Sequence, residues 1–179
     1  MSCTASFRVG DKVVYPNQGV GVIETVGQRS LGESVQEYYL LRIESSNLRV
    51  MVPSANAAVI GLRAVSAAGE WQTVLQFLEK KPVASITAPN DWKSRFKENS
   101  DKMRDGTLLH LAEVLKGLAQ LHQGKPLSYR EKKMLDRAAL LLSGEMACTG
   151  DLSPDQALER LQSALAKAGL TLPPPDAEE

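Results

Sequence analysis

The chain has few of the side chains that covalent or metal chemistry needs. It has two cysteines, Cys3 and Cys148, and two histidines, His110 and His122. These four are not grouped at the spacing of zinc ligands, and two distant cysteines make no disulfide framework. Gly19-Val20-Gly21 lacks the third glycine and the following helix of a dinucleotide-binding turn. No phosphate-binding loop ends in Gly-Lys-Ser/Thr, and no Ser or Cys sits in a nucleophile elbow. The carboxylates are numerous, but none lies in an apolar run that would raise its pKa for proton transfer. No catalytic activity, metal or cofactor is therefore expected. No apolar run approaches the roughly 18 residues of a membrane-crossing helix, and the opening MSCTASFRVG has no apolar signal region. A cytoplasmic protein with no membrane partner is expected. There is no internal repeat.

Charge is balanced overall but not along the chain. The formal net charge is zero, with 21 basic and 21 acidic residues. Residues 1–60 carry five of each sign. Residues 89–137 carry eleven basic and seven acidic side chains, a net of +4, and residues 138–179 carry two and seven, a net of −5. A local basic block is what a nucleic-acid face needs. A net of +4 is modest, so DNA binding by the chain alone should be weak and sensitive to salt.

The length suits one domain or two small ones. Residues 7–65 read as β structure. Strands are predicted at residues 12–15, 20–26, 36–43 and 48–52, with a short closing strand at 61–65. Pro16-Asn17-Gln18-Gly19 is turn chemistry, and Gly21 is a candidate bulge or close-approach point. Residues 27–34 read as a polar loop. Short strands at this spacing predict a small, strongly bent barrel. From residue 67 onward the periodicity is helical. The first helix puts Trp71, Val74, Leu75 and Leu78 on one stripe and stops at Pro82; residues 82–89 read as a linker. A second helix ends at Gly106, and Thr107 caps a third with Leu108, Leu111, Leu115 and Leu118 inward. Ser128 and Glu131 form a capping box, and Ser153-Pro154 opens the last helix. The fold class is α+β, with a β domain at 1–65, a helical domain at 66–170 and a frayed tail at 171–179.

One stretch combines aromatic and basic side chains, Pro89-Asn90-Asp91-Trp92-Lys93-Ser94-Arg95-Phe96-Lys97. A helix starting near Asp91 puts Trp92, Arg95 and Phe96 on one side, with Trp92 in the first turn. Such a group offers DNA an apolar wedge with cations beside it for the phosphates. The competing reading makes Trp92 and Phe96 core residues and the cations a solvated face. The exposure of Trp92 separates the two. The core reading makes the protein a docking module, its small β domain binding a protein partner without DNA contact, and a third reading, an enzyme, has no residues to nominate.

The string from Phe7 to Gly21, FRVGDKVVYPNQGVG, closely resembles the opening of the CarD/CdnL family of bacterial transcription regulators. Residues 90–97 resemble that family's DNA-contacting segment, and residues 129–135 its penultimate helix. The matches come in family order, and the length resembles the CdnL-type members. The resemblance implies a Tudor-like or SH3-like domain that binds the β subunit of RNA polymerase. It also implies a compact helical domain on promoter DNA at the upstream edge of the transcription bubble. The implied protein is non-catalytic and stabilises the open complex; a monomer is expected. By position, Trp92 becomes the minor-groove wedge, with Lys93, Arg95 and Lys97 in the DNA segment. Ser94 stands where some members carry a basic residue. Arg29, in the loop after the second strand, Met51 and Pro53 fall on the polymerase side. Met51 replaces an arginine found in some members, which implies a more apolar contact.

Overall fold

The computed structural model describes residues 6–82 and 91–174. The chain forms two compact units that divide between Val65 and Ser66.

The first unit is an antiparallel sheet of five strands, β1 (Lys12–Tyr15), β2 (Gly19–Leu31), β3 (Ser34–Ile43), β4 (Arg49–Pro53) and β5 (Arg63–Ala64). They lie in the order β4-β3-β2-β1-β5, so β4 and β5 are the edges. Asn17 (φ 61°) and Gly19 (φ 100°) make the first hairpin turn, as their tolerance of positive φ predicts. Alternation then sets the faces. Val13, Ile23, Tyr39, Leu41 and Val52 point inward around Phe7, whose ring meets Tyr39 edge-on at 5.7 Å.

The structure departs from the predicted loop and from the predicted closing strand. The polar loop at 27–34 is strand. β2 and β3 continue as a two-stranded arm, paired from Gly27 with Tyr38 to Leu31 with Ser34. A two-residue turn closes it, with Gly32 at φ 64°. Of the two readings of Gly21, close approach holds, because a Cβ there would lie 3.0 Å from the Arg42 carbonyl oxygen; the bulge falls between Ile23 and Thr25. After β4 the chain makes a short helix, α1 (Ala57–Ile60), which Gly61 ends in the left-handed conformation. Only Arg63 and Ala64 of the predicted closing segment pair as a strand, against β1.

The described residues of the second unit form five helices: α2 (Ala68–Glu79), α3 (Trp92–Asp105), α4 (Leu108–Gly124), α5 (Tyr129–Gly150) and α6 (Pro154–Lys167). The predicted starts are present. Thr107, Ser128 and Ser153 each accept a backbone N–H of their helix, and Ser128–Glu131 and Ser153–Gln156 are full capping boxes. Trp71, Leu78, Leu115, Leu118, Leu135, Leu142, Leu161 and Leu165 fill one core. Lys116 is buried in α4 despite its charge. Its ammonium donates to the carbonyls of Phe77 (2.5 Å) and Lys80 (2.6 Å) and so closes the C-terminal end of α2. Leu170 is buried and Leu172 packs on the core, so order extends past the predicted start of the tail at 171. The predicted linker lies mostly in residues 83–90, and these, like residues 175–179, fall outside the described residues.

Candidate macromolecular interfaces

The aromatic and basic stretch is the first turn of α3. Asp91 is its N-cap: the carboxylate accepts the backbone N–H groups of Lys93 and Ser94, each at 3.3 Å, and the Ser94 hydroxyl at 3.0 Å. The Ser94 hydroxyl and the Lys93 N–H hold the Asp91 carboxyl below its ordinary pKa. Ser94 therefore reinforces the cap rather than adding a cation. Trp92 follows at the first helical position. It is 36% exposed and stacks on Phe96, with centroids 5.5 Å apart and planes at 21°. The core tryptophan of this unit is Trp71, 6% exposed. Lys93 and Lys97 stand exposed beside the stacked pair, and no ion pair among the described residues engages either.

Arg95 departs from its expected place. It is 8% exposed and turned inward, where Nη2 and Nε donate to Glu131 Oε1 at 2.8 and 3.2 Å. Glu131 is itself 4% exposed. Its other oxygen accepts the backbone N–H (3.0 Å) and hydroxyl (2.8 Å) of Ser128, completing the cap of α5. A buried guanidinium in this position does not face a phosphate lying outside; although it shares a side of α3 with Trp92, its long side chain turns in to the first turn of α5. Burial alone would push the Glu131 carboxyl up. Arg95 and Ser128 outweigh it and hold the carboxyl below the ordinary range. Its stabilising contribution is therefore complete above the unfolded-state pKa and lost as the pH falls through the lower folded-state value. Denaturant midpoints measured from neutral pH into acid should fall less steeply for Glu131→Gln than for the natural chain.

Other contacts fix the rest of α3. Lys102 bridges Glu98 (3.0 Å) and Glu113 of α4 (3.1 Å), and Met103 enters the core. Nearby, Tyr129 opens α5 with 70% exposure, and the Lys133 ammonium lies 5.5 Å from its ring centroid.

The β unit carries a second surface. Register places Arg29 opposite Gln36, Gly27 opposite Tyr38, Leu40 opposite Met51, and Tyr38 opposite Pro53. Paired residues and their i+2 neighbours share a face, so Arg29, Tyr38, Leu40, Met51 and Pro53 all lie on the outer one. Arg29 is thus on a strand, not in the loop expected from its polar neighbours. Met51 is 48% exposed and sits on edge strand β4. Tyr38 lies over Gly27, where a Cβ would come within 2.7 Å of the phenol oxygen. Beside them Glu24 accepts Arg42 Nε (2.9 Å) and Arg49 Nε (3.0 Å), which ties β2, β3 and β4 together and relieves the opposed arginines. The sequence points to Glu131 only as the capping partner of Ser128, not as the partner of Arg95, and it does not single out Tyr38.

Among the described residues no cluster of three or more His, Cys, Asp or Glu side chains could hold a metal, and no helix is long and apolar enough to cross a membrane. The described residues thus present two exposed faces of mixed apolar and basic character, one on a small antiparallel sheet and one on a helical unit. Residues 7–66 match the CarD-like/TRCF RID domain, whose fold is Tudor-like, and residues 73–162 match the CarD C-terminal domain. The protein named "Putative transcription factor YdeB" of Bacillus subtilis (strain 168) is 32% identical over 140 residues, which cover 78% of this chain and 90% of that protein. The chain belongs to the CarD family of transcription factors.

Proposed function

We propose that this protein is a non-catalytic cytoplasmic transcription factor that holds RNA polymerase and promoter DNA at once. The outer face of the β unit, with Arg29, Met51 and Pro53, docks on the polymerase β subunit. The first turn of α3 contacts DNA at the upstream edge of the bubble, Trp92 entering the minor groove while Lys93 and Lys97 meet the phosphates. The result is a longer-lived open complex. The observation that carries the reading is Trp92 itself. A large aromatic left 36% exposed at a helix start, stacked on Phe96 and flanked by exposed lysines, suits a nucleic-acid contact better than a core role. Membership of the CarD family supports the polymerase half.

The test is co-purification with RNA polymerase, followed by footprinting of a promoter with and without the protein. Extended upstream protection that depends on polymerase is expected. Polymerase binding with no change in the footprint would leave a docking module without DNA contact.

The β unit has its own core around Ile23, Tyr39 and Leu41. A fragment of residues 1–65 should therefore retain polymerase binding, and edge strand β4 offers unpaired backbone groups to a strand of the partner. A folded fragment that fails to bind would count against this assignment.

A further inference from the structure

The helix that carries Trp92 is weakly anchored by apolar contact. Among the side chains of α3 only Arg95 and Met103 are buried, and Met103 lies near the far end. Trp92 is exposed and Phe96 half-buried, so the first turn has no buried apolar anchor of its own. Its buried side-chain contact is Arg95 on Glu131, at the N-terminal end of α5. Glu131 cannot drift, because its second oxygen is held by Ser128 in the capping box. One carboxylate thus caps α5 and fixes the first turn of α3.

We propose that Arg95 is a positioning residue: clamped on Glu131, it locks the start of α3 against α5 so that Trp92 is presented outward, and it acts on DNA only through Trp92. This rests on the reading of Trp92 as a DNA contact. It replaces a direct phosphate contact by Arg95, which would require the guanidinium to leave a buried carboxylate that no other cation among the described residues pairs with. A clamp of this kind holds the aromatic in its binding orientation before DNA arrives, so less ordering remains to be done on binding.

The two roles predict opposite signs for one variant. Glu131→Gln retains the capping box, since Gln serves at that position as Glu does, but removes the charge that holds Arg95. If Arg95 positions Trp92, the lifetime of open complexes under competitor challenge, with full-length protein at saturation, should fall several-fold. If Arg95 binds phosphate, freeing it should lengthen the lifetime or leave it unchanged, and that result overturns the proposal. A double-mutant cycle supplies a readout that a merely structural role would not move. Glu131→Gln combined with Trp92→Ala should be no worse than Trp92→Ala alone, whereas additive losses would mean that Arg95 acts independently of Trp92. Arg95→Gln should leave the salt dependence of DNA binding unchanged, while loss of a phosphate contact lowers that slope by about one. Should Glu131→Gln prove unstable, Arg95→Lys keeps the buried pair without the planar fork. It should give a smaller loss with the same non-additivity, and an additive loss again overturns the proposal. Trp92→Ala read alone separates the two levels of argument. No effect there removes the DNA reading itself. An effect there with none in Glu131→Gln removes only the clamp.

Discussion

Trp92→Ala is expected to keep the fold and polymerase binding while shortening the life of the open complex by about ten- to a hundredfold. Base–aromatic stacking is worth roughly 1–3 kcal/mol per base. A tenfold change in an equilibrium constant corresponds to about 1.4 kcal/mol, so the range follows if the loss appears in the off-rate. Truncation removes the stack on Phe96, an aromatic pair contact of about 0.5–1.5 kcal/mol. A small drop in melting temperature should result. Trp71→Ala is the contrasting variant. Trp71 is 6% exposed in the helical core, where deleting a tryptophan costs about 3–5 kcal/mol. It should loosen the helical unit. Thermal unfolding and open-complex lifetime, measured side by side on both variants, decide the matter. A Trp92→Ala protein with a large loss of melting temperature, or with normal stability and an unchanged lifetime, would sink the wedge assignment.

What could be read from residues alone follows a physical line. Helix starts were legible because their chemistry is local. Asp91, Thr107, Ser128 and Ser153 each satisfy N–H groups two or three residues away, and Gly106 ends α3 at φ 68°. The inward stripes of α2 and α4 were legible because apolar periodicity reports a single buried face. The arm of β2 and β3 was not. Its residues from Gly27 to Glu37 are half-buried or exposed where described, so no apolar alternation marks them as strand, and only the cross-strand ladder does. The short α1 was missed for a similar reason. Four residues, Ala57–Ile60, are too few to show a period, and Gly61 was taken for the start of a strand rather than the left-handed cap it is.

The same distinction governs the two surfaces. Trp92, Lys93 and Lys97 were found because they are neighbours in sequence. The fate of Arg95 depends on Glu131, 36 positions later, and that carboxylate was legible only in its local role as a cap. Lys116 is a parallel case, since its carbonyl partners lie 39 and 36 positions earlier. On the β unit, the grouping of Arg29 with Met51 and Pro53 requires the register of three strands. That register also brings in Tyr38, which lies over Gly27 because the missing Cβ leaves room for the ring. Long-range ion pairs and register are tertiary facts, and no window of sequence contains both partners.

The second large effect concerns tethering. The isolated protein should bind promoter DNA weakly, and polymerase should convert that weak contact into stable upstream protection. The cations available at the start of α3 are few. Arg95 is neutralised by Glu131 and Lys102 by Glu98 and Glu113, so on the proposed reading Lys93 and Lys97 would carry most of the phosphate attraction from this turn. Each phosphate neutralised contributes a slope of about −0.9 to the dependence of log K on log salt, so two contacts give a shallow slope and little affinity. Docking of the β unit on polymerase, as proposed, would change the arithmetic without adding any contact to DNA. The second binding event becomes intramolecular, with an effective concentration in the millimolar range for a short linker, and the gain in avidity is of the order of a hundred- to ten-thousandfold. Separating the units should therefore abolish the promoter effect even when both fragments are present and folded. Band shifts with protein alone and footprints with polymerase, run at the same salt, test this. Nanomolar binding of promoter DNA by the isolated protein at physiological salt would mean that cations beyond α3 hold the backbone, and the exposed Arg130 and Lys133 at the start of α5 would be the first to substitute.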